Sequence, residues 1–181
     1  MKTIKRFVRS IINAFITLIV KTRCWRLGIK YAKGFYVGKH VQNWGKTTII
    51  VSRFSRIASG CIFWGGGKVV IGENTHIGEN SWLYANPNGG ITIGNDVNMA
   101  ANVYIIDSDH GIKRDCLIRL QPMITKEITI GNDVWIGTNV TILRGSSIAD
   151  GCVIGACSLV KCSTSPYCVY GGVPCKFIKE R

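Results

Sequence analysis

Residues 130–159 read IGNDVW IGTNVT ILRGSS IADGCV IGACSL, which are five units of six residues with one shared pattern. Every unit begins with isoleucine, a small residue usually follows it, and a small or β-branched residue tends to hold the fifth place. A period of six is neither the 3.6 of an α-helix nor the 2 of a strand. It is typical of a chain that turns a corner after each short strand. The stretch therefore predicts an all-β fold, a parallel β-helix of hexapeptide repeats.

Three hexapeptides make one triangular coil of about eighteen residues. The aliphatic first residue of each unit points into the prism and stacks on its counterparts in the coils above and below, about 4.8 Å away. A β-sandwich with glycine-rich turns is the alternative, and five units in unbroken register argue against it.

The six-residue step continues on the N-terminal side of this stretch. Four aliphatic residues begin further units there: Ile71, Ile77, Ile93 and Met99. Between residues 31 and 68 the step is less regular, although Val51, Ile57 and Phe63 keep it. We therefore predict three parts: a short N-terminal helical segment at 1–30, the β-helix at 31–165, and a tail at 166–181 packed on the last coils.

Positive charge is concentrated at the start of the chain, which carries 23 Lys and Arg against 10 Asp and Glu overall. No acidic residue precedes Glu73, whereas fourteen Lys and Arg do. In residues 1–22, basic and apolar side chains fall on opposite faces of a helix, which suits an anionic membrane surface. The same helix could cap the open end of the β-helix, and the sequence leaves both interpretations open.

The apolar run at 14–20 is too short to span a bilayer, which needs about twenty residues. Lysine and arginine follow it instead of a small-residue cleavage site, so we expect no cleaved signal peptide. We expect a cytoplasmic protein, at most peripheral on the inner face of the membrane, and no nucleic-acid partner.

Cysteine and histidine spacing gives no indication of a metal site. None of the eight cysteines forms a C-x-x-C pair, so we interpret them as free thiols that pack as small residues in a reducing compartment. His40, His76 and His110 lie 36 and 34 residues apart, unlike the closely spaced histidines of a zinc-dependent carbonic anhydrase on a β-helix. We therefore predict no metal.

One long stretch, residues 111–127, fits no hexapeptide. A non-repeat segment of this length inside a regular solenoid predicts a loop that projects from one corner, and long loops in compact folds are usually functional or disordered. It follows Asp107, Asp109 and His110 directly. Histidine titrates in the range that a general base at neutral pH requires.

These features together resemble the hexapeptide-repeat acyltransferases, and among them the sugar and polysaccharide O-acetyltransferases. The motifs are the repeats, the Asp-rich segment with His110, the projecting loop, GNDVWIG at 131–137 and GVPCK at 172–176. The resemblance covers residues of about 70 to 181. It implies a left-handed β-helix, a homotrimer, and acetyl-CoA bound in the groove between adjacent prisms. The first seventy residues depart from the galactoside and maltose type, which favours a membrane-proximal glycan as acceptor over a small free sugar.

The resemblance assigns roles to residues around the loop. His110 would be the general base, and either Asp107 or Asp109 would orient its imidazole, with the choice between them open. Asn86 and Asn88 would bind the acceptor, although Asn-Pro-Asn-Gly-Gly is also ordinary turn composition.

The resemblance also assigns residues to the cofactor. Trp135 would line the place where pantetheine and acceptor meet, or pack between subunits. Gly137, Thr138 and Ala156 would border the pantetheine arm. Lys161 and Lys176 would neutralise the CoA phosphates, or remain solvated surface lysines.

The predicted activity is direct transfer of an acetyl group to a sugar hydroxyl of a bacterial-type surface glycan or its precursor. An N-acetyltransferase of an amino-sugar nucleotide would use the same base and cofactor, and it remains the alternative. A non-catalytic trimeric scaffold is a third possibility. For the trimer we rely on apolar residues that we assign to outward positions: Met99, Tyr104, Val153 and Leu159.

Overall fold

The computed structural model describes residues 17–181, in which six stacked coils form a three-sided, left-handed β-helix. A helical segment at residues 17–27 precedes them. Each coil contributes three strands: β1 (Ile29–Tyr31), β2 (Tyr36–Val37) and β3 (Gln42–Asn43); β4 (Thr48–Val51), β5 (Arg56–Ile57) and β6 (Ile62–Trp64); β7 (Lys68–Ile71), β8 (His76–Ile77) and β9 (Trp82–Tyr84); β10 (Ile91–Ile93), β11 (Asn98–Met99) and β12 (Tyr104–Ile106).

Between coils 4 and 5 the chain makes an excursion with its own structure, β13 (Ser108–His110), the 3-10 helix η1 (Ile118–Leu120) and β14 (Met123–Thr125). Coils 5 and 6 follow as β15 (Ile128–Ile130), β16 (Trp135–Ile136) and β17 (Thr141–Ile142), then β18 (Ser147–Ile148), β19 (Val153–Ile154) and β20 (Leu159–Val160). The chain ends with β21 (Cys168–Gly171) and β22 (Lys176–Glu180).

The first, second and third strands of the coils form three parallel sheets, here called A, B and C. Each sheet is one side of the prism, and the corners between sheets are its three edges. Inward residues stack in register from coil to coil, as Ile49, Val69, Ile91 and Ile128 do in sheet A. The predicted fold class is therefore confirmed.

The interior is a continuous apolar column. Most first-place residues of the hexapeptides are buried, among them Ile71, Ile77, Ile93, Ile130, Ile136, Ile142, Ile148 and Ile154. Burying a side chain of this size contributes about 1.5–3 kcal/mol. Met99 belongs to the same column and is fully buried, so its assignment to an outward position was wrong. Tyr104, by contrast, faces outward and is 36% exposed.

Residues 31–68 form regular coils despite their ragged period. Successive inward-facing positions are eight residues apart from Asn43 to Val51 and from Phe63 to Ile71. The other inward-facing positions in these coils are six residues apart. The two additional residues lie at the corner from sheet C to sheet A, where the chain contains Gly45 and the glycines 65–67. The coil tolerates a longer corner because its strands still pair.

The helical segment closes the N-terminal end of the prism. Val20 and Cys24 are buried in the core cluster, and Asn43 Nδ2 donates to the carbonyl of Leu27 at 2.9 Å. The capping interpretation therefore holds for residues 17–27. Residues 1–16, which carry most of the predicted amphipathic helix, lie outside the described residues. Between residues 17 and 181 no helix has the length and apolarity that crossing a bilayer requires.

The C-terminal tail packs on the last coils, as predicted. β21 extends sheet B parallel to β19, and β22 then returns antiparallel to β21. Arg181 fixes the end of the tail, because its guanidinium contacts the carboxylate of Asp133 at 2.8 Å.

The projecting loop is an ordered hairpin that begins earlier than predicted. β13 pairs antiparallel with β14, and His110 lies opposite Met123. Gln121 is buried and ties the tip together: its side chain donates to the carbonyls of Lys113 and Cys116 and accepts from the Lys113 N–H. The loop therefore holds His110 on a strand and not on an irregular segment.

Candidate active site

The corner from sheet C to sheet A, here called the C/A edge, collects five of the predicted site residues. Coil 3 contributes Asn86 and Asn88, and coil 4 contributes Asp107, Asp109 and His110. The hydroxyl of Thr125 in β14 donates to the carbonyl of Asn88 at 3.2 Å, which joins the two groups.

Asp107 is fully buried beneath the turn at residues 86–90. Its carboxylate accepts the N–H of Asn86 at 2.9 Å and that of Gly90 at 2.6 Å. Burial raises the pKa of this carboxyl, and the two backbone hydrogen bonds offset only part of that rise. A Cβ at residue 89 would overlap the carboxylate, so glycine allows the turn to approach Asp107 closely. Asp107 thus shapes the turn that presents the two asparagines.

Asp109 and His110 are exposed at the base of the loop. Asp109 forms an ion pair with Arg144 of coil 5. Adjacent strand residues point to opposite faces, so the side chains of Asp109 and His110 diverge. Among residues 17–181, neither Asp107 nor Asp109 makes a hydrogen bond to His110. The assignment of an orienting aspartate stays a prediction.

A depression of about 320 Å³ lies beside this pair, on the C-terminal side of His110. Its lining includes Asp109 and three cations, Lys126, Arg144 and Lys161. Lys161, predicted to neutralise CoA phosphates, therefore lies on the C/A edge. Arg144 and Lys126 were not singled out from the sequence. The only signal for Arg144 is a charged residue where a hexapeptide usually has a small or polar one.

The corner from sheet B to sheet C, here called the B/C edge, carries the other predicted cofactor residues. Gly137 and Thr138 form it in coil 5, and Ala156 forms it in coil 6. Trp135 lies two residues before this corner on the outer face of sheet B and is 56% exposed. Lys176 begins β22 just beyond the end of the same edge, where Cys175 donates its backbone N–H to Leu159 at 2.8 Å.

This edge is regular along its whole length. Each of the six coils places one residue with a positive φ at the same corner position: His40, Gly60, Asn80, Asn102, Asn139 and Cys157. Backbone hydrogen bonds link these corners, for example Cys157 N–H to Thr138 O at 2.9 Å and Asn139 N–H to Ala101 O at 3.2 Å. Small or short side chains at its C-terminal end leave a track on which an extended chain can lie close to the backbone.

All of sheet C lies between the two edges, a separation of roughly 20 Å for a side of about six residues. The outer face of that sheet carries an aromatic cluster: Trp44, Trp64, Trp82, Tyr84 and Tyr104. Trp44 is 50% exposed and Trp64 is 42% exposed. The projecting loop adds exposed apolar residues, with Ile112 80% exposed. A single copy thus presents a large apolar surface beside both edges.

The three histidines lie at different levels and sides of the prism. His40 is on the B/C edge of coil 1, His76 is on the outer face of sheet B, and His110 is on the loop after coil 4. Burial raises the pKa of three thiols to about 11: Cys24, Cys61 and Cys175. These thiols are therefore protonated at neutral pH and poor nucleophiles.

Two family models match the regular parts of the chain. Residues 127–162 match the bacterial transferase hexapeptide model of six repeats, and residues 68–106 match the hexapeptide repeat of succinyl-transferase. Both matches fall on coils that the structure shows, on either side of the projecting loop.

Two relatives come from Escherichia coli K12. The galactoside O-acetyltransferase is 43% identical over 115 residues, which are 60% of this chain and 55% of that protein. A protein named as the lipopolysaccharide biosynthesis O-acetyl transferase WbbJ is 33% identical over 124 residues, which are 64% of this chain and 62% of that protein. The chain thus spans less than two thirds of the length of either relative.

Among solved structures, a variant of AntD, an N-acyltransferase from Bacillus cereus, aligns with a TM-score of 0.68 and 26% identity. The alignment covers 81% of this chain and 83% of that one. That structure contains dTDP and coenzyme A.

Proposed function

Because the chain belongs to the hexapeptide-repeat acyltransferases, we propose that it transfers an acetyl group from acetyl-CoA to a sugar hydroxyl. The acceptor is a bacterial-type surface glycan or its precursor. The galactoside and lipopolysaccharide O-acetyltransferases among its relatives support this substrate class.

The observation that carries the proposal is that the two edges present different groups. The C/A edge brings His110 together with Asn86 and Asn88, which are polar groups suited to a sugar. The B/C edge offers the track at Gly137 and Ala156, which suits the extended pantetheine arm of coenzyme A. Acyl transfer from a thioester to a hydroxyl needs both, a base and a bound thioester.

In the proposed reaction His110 removes the proton of the acceptor hydroxyl as its oxygen attacks the thioester carbonyl. The C–S bond breaks, the sugar ester forms, and the CoA thiolate takes up the proton that the imidazolium releases. The proposed transfer is direct, because burial keeps the thiols of Cys24, Cys61 and Cys175 protonated and so makes them poor nucleophiles.

The proposal requires a homotrimer with the site between copies. Reacting atoms must approach to about 3–3.5 Å, yet a whole sheet separates His110 from the Gly137 track in one copy. If the C/A edge of one copy meets the B/C edge of the next, sheet C of every copy faces the three-fold axis. Its aromatic cluster of Trp44, Trp64, Trp82, Tyr84 and Tyr104 is then buried, which gives that apolar face a partner.

N-acetylation of an amino-sugar nucleotide is the second candidate, and the alignment with the N-acyltransferase AntD favours it. The same base and cofactor would serve, because only the acceptor atom differs. The two activities are separable by the product, since sugar O-acetyl esters are labile to mild alkali and N-acetyl amides are not.

The direct test is a mass-spectrometric screen of the purified protein with acetyl-CoA and a panel of sugars, nucleotide sugars and lipid-linked glycans. An alkali-labile acetylated sugar supports O-acetylation, and an alkali-stable one supports the second candidate. If no acceptor is acetylated and calorimetry detects no acetyl-CoA binding, the non-catalytic scaffold replaces both.

We also propose that the N-terminal segment docks the enzyme on an anionic membrane from the cytoplasmic side. In residues 17–27 the face opposite Val20 and Cys24 carries Leu18, Lys21 and Trp25, and Trp25 is 83% exposed. Tryptophan beside basic residues suits the interface of an anionic bilayer. The helix can therefore cap the prism with one face and bind lipid with the other.

Co-sedimentation with phosphatidylserine vesicles tests the membrane proposal. Trp25→Ala with Lys21→Glu should reduce binding strongly, whereas Tyr167→Ala, which removes an aromatic ring that is 60% exposed near the other end of the prism, should not. Equal binding by all three proteins would refute a role for this face.

A further inference from the structure

A basic depression lies at the N-terminal end of the B/C edge, away from Gly137 and Ala156 at the other end. It has a volume of about 410 Å³ between the helical segment and coil 1. Two of its lining side chains, Arg23 and Arg26, are cationic, and a third, His40, offers ring nitrogens for hydrogen bonding. The rest of its lining is neutral: Leu27, Gly38, Val41 and Gln42.

The charge of this depression is not compensated by carboxylates. No acidic residue precedes Glu73 in the sequence, and no lining residue is acidic. The depression beside Arg144 differs, because Asp109 is part of its lining and pairs with the arginine. An uncompensated pair of guanidinium groups recognises phosphate oxygens best, since each offers several N–H donors in a fixed plane.

One of the arginines is held in place by the fold. Arg23 Nη1 donates to the carbonyl of Val37 at 3.2 Å, which leaves its other N–H groups available. His40 occupies the positive-φ corner position of coil 1, with φ of 56°, so the backbone fixes the direction in which its side chain leaves the corner. Arg26 is exposed at the rim.

The depression lies on the same edge as the cofactor track but at the opposite end. Three coil spacings of about 4.8 Å separate coil 1 from the level of His110, a distance of roughly 14 Å. The edge between them carries neutral hydrogen-bonding side chains at Ser59, Asn80 and Asn102, together with one exposed carboxylate at Glu79 in coil 3. If the C/A edge of one copy meets the B/C edge of the next, this axial offset can be bridged by a short sugar chain joined to a phosphate or diphosphate.

We infer that Arg23, Arg26 and His40 bind the phosphate groups of an acceptor whose sugar is carried on a phosphate or diphosphate. The inference rests on the proposed function, because it assumes that acetyl-CoA occupies the C-terminal part of the groove between copies. The acceptor then enters from the N-terminal end, with its sugar at His110 of one copy and its phosphates in the basic depression of the next. A nucleoside diphosphate and a lipid diphosphate share this chemistry.

The first test measures anion binding without catalysis. Inorganic pyrophosphate is titrated into the full-length protein by calorimetry, with coenzyme A at saturation so that its own phosphate sites are occupied. The double variant Arg26→Gln/His40→Asn should weaken binding about tenfold or more. Asparagine is the native residue at the equivalent corners of coils 3, 4 and 5, so this change preserves the backbone.

Lys33→Gln is the matched control, because Lys33 is an exposed cation of the same region that does not line the depression. It should bind pyrophosphate like the wild type. Absence of binding by the wild type, or an equal loss in Lys33→Gln, overturns the inference.

The second test compares one acceptor sugar in three forms: a methyl glycoside, a nucleoside diphosphate sugar, and a polyprenyl diphosphate sugar in phosphatidylcholine vesicles. At least one diphosphate form should have a KM about tenfold lower than the methyl glycoside, and Arg26→Gln/His40→Asn should abolish this preference without changing the KM for acetyl-CoA. The better form identifies the source of the phosphate.

The outcomes separate the two proposals. If the methyl glycoside is acetylated as well as both diphosphate forms, the inferred phosphate site is wrong while the acetyltransferase activity stands. If no form is acetylated, the proposed function fails, and pyrophosphate binding alone decides whether the depression is an anion site.

Discussion

The C/A and B/C edges of the prism are built from the same repeats yet differ in regularity. Across the B/C edge, six residues separate successive inward positions in every described coil, as from Ile136 to Ile142. All the additional residues of the β-helix fall on the C/A edge, where the separations grow from eight to ten and then to twenty-five: Phe63 to Ile71, Leu83 to Ile93, and Ile105 to Ile130.

The difference follows from what each edge is proposed to do. An extended cofactor arm needs an even surface with little side-chain bulk, which a repeated corner provides. A sugar and a general base need side chains that project in several directions, which insertions provide. Because the insertions follow strands of sheet C, they extend the prism without disturbing the pairing of any coil. Under the proposed function, the side chains for the acceptor and the base are thus added at the C/A edge, while the other two edges keep regular corners.

The largest effect should come from the irregular edge. His110→Ala is expected to lower kcat by about 10²–10⁴, the usual contribution of a general base, with little change in acetyl-CoA affinity. Steady-state kinetics and calorimetry measure the two quantities. His76→Ala is the matched control, since His76 lies on sheet B away from the C/A edge. Turnover near the wild-type value in His110→Ala would remove the assigned base.

A mixing experiment tests whether the two edges act from different copies. His110→Ala copies lack the base, and Thr138→Trp copies should block the B/C track because Thr138 is exposed on it. Each variant alone should be nearly inactive. After subunit exchange at equal amounts, one interface in about four combines an intact base with an intact track, so about a quarter of wild-type activity should return.

Pooled samples that have not exchanged subunits are the control for this mixing. Activity that stays at background after proven exchange would place both edges of one site in a single copy, or neither in the site.

Sequence reasoning succeeded where the regular edges dominate. The period of six predicted the β-helix, because one residue of each unit must face inward. Glycine and other small residues predicted the corners. It was weaker where the C/A edge interrupts the period: coils 1 and 2 looked irregular because of two additional residues, although their strands pair fully. The assignment of Met99 to the outside failed for a different reason, since it holds the first place of its unit and that place faces inward.

The site itself was only partly readable. The sequence indicated Asp107, Asp109 and His110 because they precede the loop. It could not predict that Asp109 and His110 alternate on a strand or that Asp107 is buried beneath the turn at 86–90, because both depend on pairing in three dimensions. Arg144 lies 35 residues from Asp109 and has no motif of its own. The depression formed by Arg23, Arg26 and His40 was visible only as an excess of basic residues, because a helix and a coil must pack together to create it.

Substitutions of glycine on the B/C edge should change the free energy of unfolding. A Cβ on Gly137 would lie 2.6 Å from the backbone nitrogen of Ala156 in the next coil, so Gly137→Ala should destabilise the protein by about 1–3 kcal/mol. At Gly155, on the same edge one coil further, the nearest atom would be the Tyr170 carbonyl at 3.5 Å. Gly155→Ala should therefore stay within about 0.5 kcal/mol of the wild type. Urea denaturation compares them, and equal losses would contradict the close approach.

The smallest effect concerns the buried carboxylate of the irregular edge. Burial raises the pKa of Asp107 above the ordinary carboxyl value of 3.8, so the folded protein holds this proton to a higher pH than the unfolded chain does. The stability that protonation contributes is complete below the pKa of the unfolded chain and is lost as pH rises through the pKa of the folded protein.

The stability of the wild type relative to Asp107→Asn, which cannot titrate, should therefore fall as pH rises above about 4. Urea denaturation between pH 4 and pH 7 measures this difference, and Asp115→Asn on the exposed loop controls for the loss of one negative charge. If the wild type instead becomes more stable relative to Asp107→Asn as pH rises, the hydrogen bonds from Asn86 and Gly90 favour the ionised carboxylate more strongly than burial opposes it.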